Sequence, residues 1–196
     1  MDRAEQTRNR IQDIALRLFT ERGFDNVTVE EITQLAGTSH MTFYRNFPTK
    51  ESAVFDDPFD PMIGAAVAEQ NDKLPPMERT CLGLLGVLDQ LDDSHDGAML
   101  ARIRLALDSP SLRAHIWENT HRTEEVIVEA LVDGGTPQSE ARVAAGAVLG
   151  AMSASLINWA REDAPVSYQA CLRDALTYLR ANDSGEKPAR LEKEKQ

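Results

Sequence analysis

Apolar side chains at Ile11, Ile14, Ala15, Leu18 and Phe19 follow the i, i+3, i+4, i+7, i+8 order of a helix with one buried face. The pattern predicts a first helix over about residues 4–22, ended by Gly23, after which Phe24 and Val27 return to the core. Thr28 and Glu31 in "TVEE" have the spacing of a capping box. They open a short second helix expected to bury Ile32, Leu35 and Ala36. Gly37 closes that helix, Ser39 caps a third that reaches Asn46, and Pro48 forbids helix around Phe47. Thr49 is placed to cap a fourth helix beginning at Lys50.

Helices separated by punctuation continue to the far end. "DDPFDP" is a break, and Asp60–Pro61 restarts helix in the order of a cap followed by a first-turn proline. After "DKLPP" comes a helix with Leu82, Leu85, Val87 and Leu88 as its apolar positions. After "DDSHDG" comes one lined by Met99, Leu100, Ile103, Ala106 and Leu107. Ser109–Pro110 opens a long helix ending at "DGGTPQ", Ser139 opens another to about Arg161, and Pro165 to Ala181 forms the last. With no convincing strand and no internal repeat, the predicted class is all-α.

Composition fits this picture and removes alternatives. A chain of 196 residues makes one large domain, or a small one joined to a medium one. Eleven glycines and nine prolines are too few for a sandwich or barrel that turns every ten residues. Cys81 and Cys171 sit in apolar helical patterns and read as core rather than as a disulfide or a zinc site, which suits a reducing cytoplasm. The start "MDRAEQTRNR" has no apolar core, so no signal peptide is expected. The stretch 144–157 is interrupted by Ser153 and Ser155 and is shorter than the roughly 20 residues of a membrane span.

Net charge is −11, which taken whole argues against a polyanionic partner. Residues 1–56, however, hold seven Lys/Arg against nine Asp/Glu, a net of −2, and most of the negative charge lies beyond. Screening limits each charge to about 8–10 Å, so a locally basic face can sit on an acidic chain.

The third helix offers such a face. On a 100° wheel Phe43 and Phe47 point inward, while Met41 and Arg45 point away, flanked by Thr42 and Tyr44. His40 lies in the first turn. Two short helices joined by "AGTS" have the helix-turn-helix pattern, and a donor-rich outer face of this kind suits phosphates and base edges in a major groove. Lys50, at the start of the fourth helix, is placed to grip a phosphate together with free backbone N–H groups.

Residues 7–55 resemble the N-terminal domain of TetR-family transcriptional regulators, through "ALRLFTERGFDNVTVEEI" and "AGTSHMTFYRNFPTKESAV". The resemblance implies an all-α homodimer with a three-helix DNA-binding head over residues 1–50 and a ligand-binding and dimerisation body over 51–182. The remaining residues 183–196 are polar with balanced charges, a composition that predicts a frayed or disordered tail. By position, Thr28 starts the helix that meets a phosphate. His40, Met41 and Thr42 take base-reading places, beside Ser39. Tyr44 and Lys50 match phosphate contacts, and Arg45 and Asn46 lie where further contacts are made. The partner implied is double-stranded DNA with a pseudo-palindromic operator. This chain departs from the family at Thr38, where an aliphatic is usual, at Met41, where a small residue is usual, and at Asn46, where histidine is frequent. At Met41 an apolar contact to a thymine methyl would replace close approach.

"LDSPSLRAHIWENTHR" resembles the second domain of mycofactocin-type regulators, which implies a small-molecule effector and admits acyl-coenzyme A as its class. Met99, Ile103 and Leu107 form one stripe, and Trp117 and His121 share a helix face. With Leu85, Met152 and Trp159 they are the candidates to line an effector site, although the same residue types fill ordinary cores. Val143, Ala147, Ala151 and Ala154 give a small-residue helix face, and Tyr168, Leu172 and Leu176 line the last helix. In the family the corresponding helices form the four-helix dimer interface; packing within one chain is the alternative for the same residues.

"DDSHD" has no spacing that aims ligands at one point and reads as a solvated loop, not a metal site. No nucleophile–base motif or phosphate-binding glycine loop is present, so neither catalysis nor a cofactor is expected. The expected function is a ligand-responsive, cytoplasmic DNA-binding repressor. The alternative is an all-α binding protein or enzyme whose head does not bind DNA, with His95 or His121 beside an acidic neighbour as its candidate chemistry.

Overall fold

The computed structural model describes residues 3–55, 59–91, 96–162 and 166–183. Among them lie nine α-helices and two short 3-10 turns, Phe24–Asn26 and Glu51–Ala53, with no strand. The helices are α1 (Arg3–Arg22), α2 (Val29–Leu35), α3 (His40–Asn46), α4 (Asp60–Ala68), α5 (Pro76–Leu88), α6 (Asp96–Asp108), α7 (Pro110–Asp133), α8 (Gln138–Arg161) and α9 (Tyr168–Asp183). Residues 92–95 of "DDSHD", with the candidate histidine His95, lie outside the described residues, as do Pro165 and the tail from 184.

By compactness the chain divides into residues 1–57 with 95–119, and residues 58–94 with 120–196. The first unit is larger than the head expected over residues 1–50, and its core explains why. Ala106 of α6 and Leu112 of α7 are buried in one cluster with Ile11, Phe19, Phe43 and Phe47, and Leu105 and Ile116 pack against it. His115 Nε2 donates to the Phe55 carbonyl at 2.9 Å.

The helix starts in this unit follow local chemistry. Thr28 and Glu31 form the expected capping box at α2. Ser39 Oγ accepts from the Thr42 amide at 3.2 Å and caps α3. Between them Gly37 adopts φ 59°, a left-handed conformation that glycine reaches without steric cost, and turns the chain from α2 into α3. Leu35, expected in the core, is exposed, and Thr33 is buried in its place. The predicted fourth helix at Lys50 is only the turn Glu51–Ala53. Thr49 and Ser52 cap each other there, each amide donating to the other's hydroxyl at 3.1 Å, but the chain does not continue as helix.

In the second unit α5 packs against α4, α8 and α9, and α8 against α9. The buried face of α5 is Thr80, Cys81, Leu84, Val87 and Leu88, while Leu82 and Leu85, expected inside, are half-buried. Asp60 does not cap α4: the cap position is Phe59, and the Asp60 carboxylate accepts from Thr123 Oγ1 of α7 at 2.7 Å. Neither cysteine is in a disulfide; Cys81 is buried and Cys171 half-buried, and burial pushes the Cys171 thiol pKa up. Arg79 is fully buried against the corner between α7 and α8. At 24 residues α8 is, by length and composition alone, apolar enough to cross a membrane. Ala141, Ala145, Val148 and Trp159 on one side of it are buried in the unit's core.

Candidate nucleic-acid interface

The third helix is built from its buried side outward. Phe43 and Phe47 are fully buried, with ring centroids 5.7 Å apart. Arg8 of α1 lies 4.5 Å over the Phe47 ring and donates to the Asn46 carbonyl at 2.7 Å, so the end of α3 is tied to α1. The opposite face is left to solvent. Met41 is 81% exposed and Tyr44 is 51% exposed, with His40 and Arg45 exposed beside them. The Tyr44 ring meets the Phe43 ring edge-on at 5.4 Å, which steadies the phenol without burying it. Four of the expected contact residues therefore share one open surface on a helix anchored by its buried side.

The other expected residues are more committed. Thr42 is half-buried, its hydroxyl 3.1 Å from Ser39 Oγ. Asn46 is also half-buried and turns its amide nitrogen back to the Thr42 carbonyl at 2.7 Å. The Thr28 hydroxyl and amide both donate to Glu31, at 3.1 and 2.9 Å, and Arg22 pairs with Glu31 at 2.8 Å. The Thr28 backbone bond, then Arg22 and the Thr28 hydroxyl, hold the Glu31 carboxyl below the usual glutamate range. Lys50 lies where the chain re-enters the core, and its ammonium donates to the Phe24 and Val27 carbonyls. The roles of Arg8 and Arg22 were not legible in the sequence, because a helical arginine reads there as a solvated surface position.

The candidate effector residues fall in both compact units. Met99, Ile103, Leu107 and Trp117 belong to the first, and Leu85, His121, Met152 and Trp159 to the second. Ile103 is buried, Trp117 is 69% exposed, and His121 is exposed, 3.4 Å from Glu124. Trp159 is a core residue, its indole N–H donating to the Val166 carbonyl at 2.7 Å and its ring edge-on to Tyr168.

The expected dimer residues divide by helix. On α8, Val143 is 72% exposed, and Ala147 and Ala154 are exposed with Gly146, Gly150 and Ile157, while Ala151 is half-buried. These positions form one apolar stripe, largely exposed in the protomer. A cleft of about 460 Å³ adjoins it, lined by Pro75, by Pro76 and Met77 of α5, and by Val143, Ala144 and Ala147 of α8. Tyr168, Leu172 and Leu176 on α9 differ from expectation: all three are buried inside the protomer, because that face of α9 packs on α5 and α8.

Residues 11–54 match the family model described as bacterial regulatory proteins, tetR family, and residues 74–183 match the model of the MftR C-terminal domain. The mycofactocin biosynthesis transcriptional regulator MftR of Mycobacterium tuberculosis is 24% identical over 166 residues, which cover 82% of this chain and 83% of that protein. A TetR-family transcriptional regulator of Syntrophomonas wolfei has a similar fold, with TM-score 0.63 and 20% identity over 94% of this chain and 98% of that one. The fold is also similar to that of Thermus thermophilus FadR, a TetR-family repressor solved with lauroyl-CoA, with TM-score 0.50 and 23% identity over 88% of this chain and 93% of that one.

Proposed function

We propose that this chain, which belongs to the TetR family of bacterial regulatory proteins and carries that family's MftR-type C-terminal domain, represses transcription by binding an operator through α3 and leaves it when a small apolar or amphipathic effector binds. The observation that supports this reading is the outer face of α3. Met41, Tyr44, Arg45 and His40 stand open on a helix whose other side is anchored by two fully buried phenylalanines. An enzyme or a plain binding module has no use for a rigid, donor-rich surface without a cavity, whereas a major groove does.

A homodimer follows from the α8 stripe. A second copy laid on Val143, Ala147, Gly150 and Ala154 would cover apolar surface that the protomer leaves in water, and small side chains let two helices approach closely. The α9 contribution then comes from its outward side, where Tyr178 is exposed, rather than from Leu172 or Leu176. Two copies present two recognition helices to half-sites about 34–36 Å apart, which makes the operator pseudo-palindromic. The protein acts in the cytoplasm, where its DNA is.

The effector is the less constrained partner. Lauroyl-CoA in the Thermus thermophilus protein makes an acyl-coenzyme A one candidate class here. The charge of the chain opposes it: residues 57–196 hold 14 Lys/Arg against 23 Asp/Glu, so a polyanion needs arginines such as Arg102 or Arg104 at its entrance.

The direct experiment is fluorescence anisotropy of the duplex upstream of the protein's own gene, titrated over a series of salt concentrations. Binding whose logarithm falls linearly with the logarithm of salt is expected. Absence of any salt-dependent binding to that duplex would overturn the DNA reading in favour of a binding protein with an idle head. Lauroyl-coenzyme A and lauric acid added to the bound complex then distinguish a polyanionic effector from a merely amphipathic one.

A further inference from the structure

We infer that Lys50 is a positioning residue for DNA binding rather than a phosphate contact: its ammonium holds the loop that presents the start of α2. This rests on the DNA-binding reading above and departs from the role that the family resemblance gives this position.

The geometry of one side chain carries the inference. Lys50 Nζ donates to the Phe24 carbonyl at 2.9 Å and to the Val27 carbonyl at 3.0 Å. It also lies 4.1 Å over the centroid of the Phe24 ring and 5.8 Å from that of Phe19. An ammonium has three donors, so two are spent inside the chain and an aromatic face covers a further side. A phosphate could take only the third donor unless the ammonium gives up one of the two carbonyls.

Both ends of this link are fixed. At one end, Phe19, Phe24 and Val27 are buried in the head core. At the other, Thr49 and Ser52 exchange amide-to-hydroxyl bonds across Lys50, and Ser52 Oγ donates to the Thr49 carbonyl at 2.8 Å. The loop that Lys50 holds runs directly into Thr28, the cap of α2. The Phe24 carbonyl, at the start of the Phe24–Asn26 turn, and the Val27 carbonyl, just past its end, both accept from the ammonium. Removing the ammonium would leave those carbonyls with weaker partners and release the approach to α2. Lys50 thus acts on DNA through the placement of α2.

The two roles differ in one measurable quantity. Each phosphate neutralised by a cation adds about 0.9 to the slope of log affinity against log salt, and a residue that acts through placement adds nothing. The test uses the full chain and the duplex upstream of its own gene, with Lys50→Met, which keeps most of the stem and deletes the charge. The expected result is an affinity about tenfold lower at every salt concentration, from the loss of two charge-assisted hydrogen bonds, with the slope of the wild type. The loss should also be less than additive with that of Thr28→Ala, because both changes act on the start of α2. A slope lowered by about 0.9 in Lys50→Met overturns the inference. Failure of the wild type to bind any duplex is seen before any substitution, and it removes the DNA reading and this inference together. If Lys50→Met does not fold, lysine-selective NMR of the wild type, assigned against Lys50→Arg, takes its place. The Lys50 Nζ signal should not move when the duplex is added, and a coupling across a hydrogen bond from that nitrogen to a phosphorus overturns the inference.

Discussion

The guanidinium of Arg79 occupies the space in which residue 134 would carry a side chain: a Cβ on Gly134 would stand 2.5 Å from Nη2 and 2.7 Å from Nη1. Arg79 is wholly buried, and its Nε, Nη1 and Nη2 make no well-formed hydrogen bond among the described residues. Its counter-charge is Asp72, 3.2 Å away and largely in water. Glycine at 134 is therefore a matter of space: the corner from α7 to α8 closes over an arginine.

Gly134→Ala is expected to lower stability by about 1–3 kcal/mol, since a buried guanidinium cannot swing aside as an exposed one would. Arg79→Met exchanges a poorly satisfied buried charge for an apolar side chain of similar length, a change that is often neutral or stabilising. The double variant should recover most of the Gly134→Ala loss. Urea unfolding of the four proteins measures that coupling, and additive losses would mean that the two residues do not meet.

Met41 is largely exposed on the outer face of α3, and an apolar side chain there has little to gain from phosphates. Replacing each operator thymine in turn by deoxyuridine removes one methyl at a time. One position in each half-site should lose affinity by about fourfold, the worth of one buried methyl-sized group at about 0.8 kcal/mol. In Met41→Ala that position should no longer distinguish thymine from uracil. A wild-type protein indifferent to every such replacement has no methyl contact to lose. His40→Ala, by contrast, should relax preference at a base pair by about 1–3 kcal/mol if the imidazole reads a base edge.

Acid should weaken the head through Glu31. Its carboxyl is held below the usual value near 4.5 by the Thr28 backbone N–H, by Arg22 and by the Thr28 hydroxyl. A depressed folded pKa means stabilisation that is complete above the unfolded value and is lost as pH falls through the folded one. Thermal unfolding from neutral pH to about pH 3 should therefore steepen below about pH 4.5, in the range where this group titrates. Glu31→Gln should be less stable at neutral pH and should show a shallower decline. An equally steep decline in that variant would assign the acid sensitivity to other carboxylates.

The sequence was most informative where a local rule acts alone. Thr28–Glu31 spacing and Ser39 placed two caps, and the positions of Phe43 and Phe47 identified the buried side of α3 and therefore its open side. It misled where two helices compete for the same apolar residue. Leu172 and Leu176 could equally cover a partner or a neighbouring helix, and only the packing of α9 on α5 and α8 decides for the neighbour. Arg79 left no trace in the pattern, since a charged residue in the first turns of a helix reads as surface. Lys50 was visible as a cation near a helix start, but the two carbonyls that hold it lie more than twenty residues earlier in the chain.

The α8 stripe separates a dimer face from a core face by substitution. Ala154 is exposed in the protomer, so Ala154→Glu places its carboxylate in water and leaves the monomer folded. In a dimer built on that stripe the same carboxylate is buried near its own symmetry mate, and an unpaired buried charge costs about 3–5 kcal/mol. Dissociation should then strengthen by at least about a hundredfold, visible as monomer in sedimentation at micromolar protein with unchanged helical circular dichroism. Leu176→Glu buries its charge inside the protomer and should lose the helical signal as well. Ala151, half-buried, should fall between the two. DNA provides the second reading: the Ala154→Glu monomer keeps α3 intact and should bind a single half-site as the wild type does, but lose the added affinity of the full pseudo-palindrome. A folded Ala154→Glu protein that remains a dimer places the interface elsewhere on the second unit.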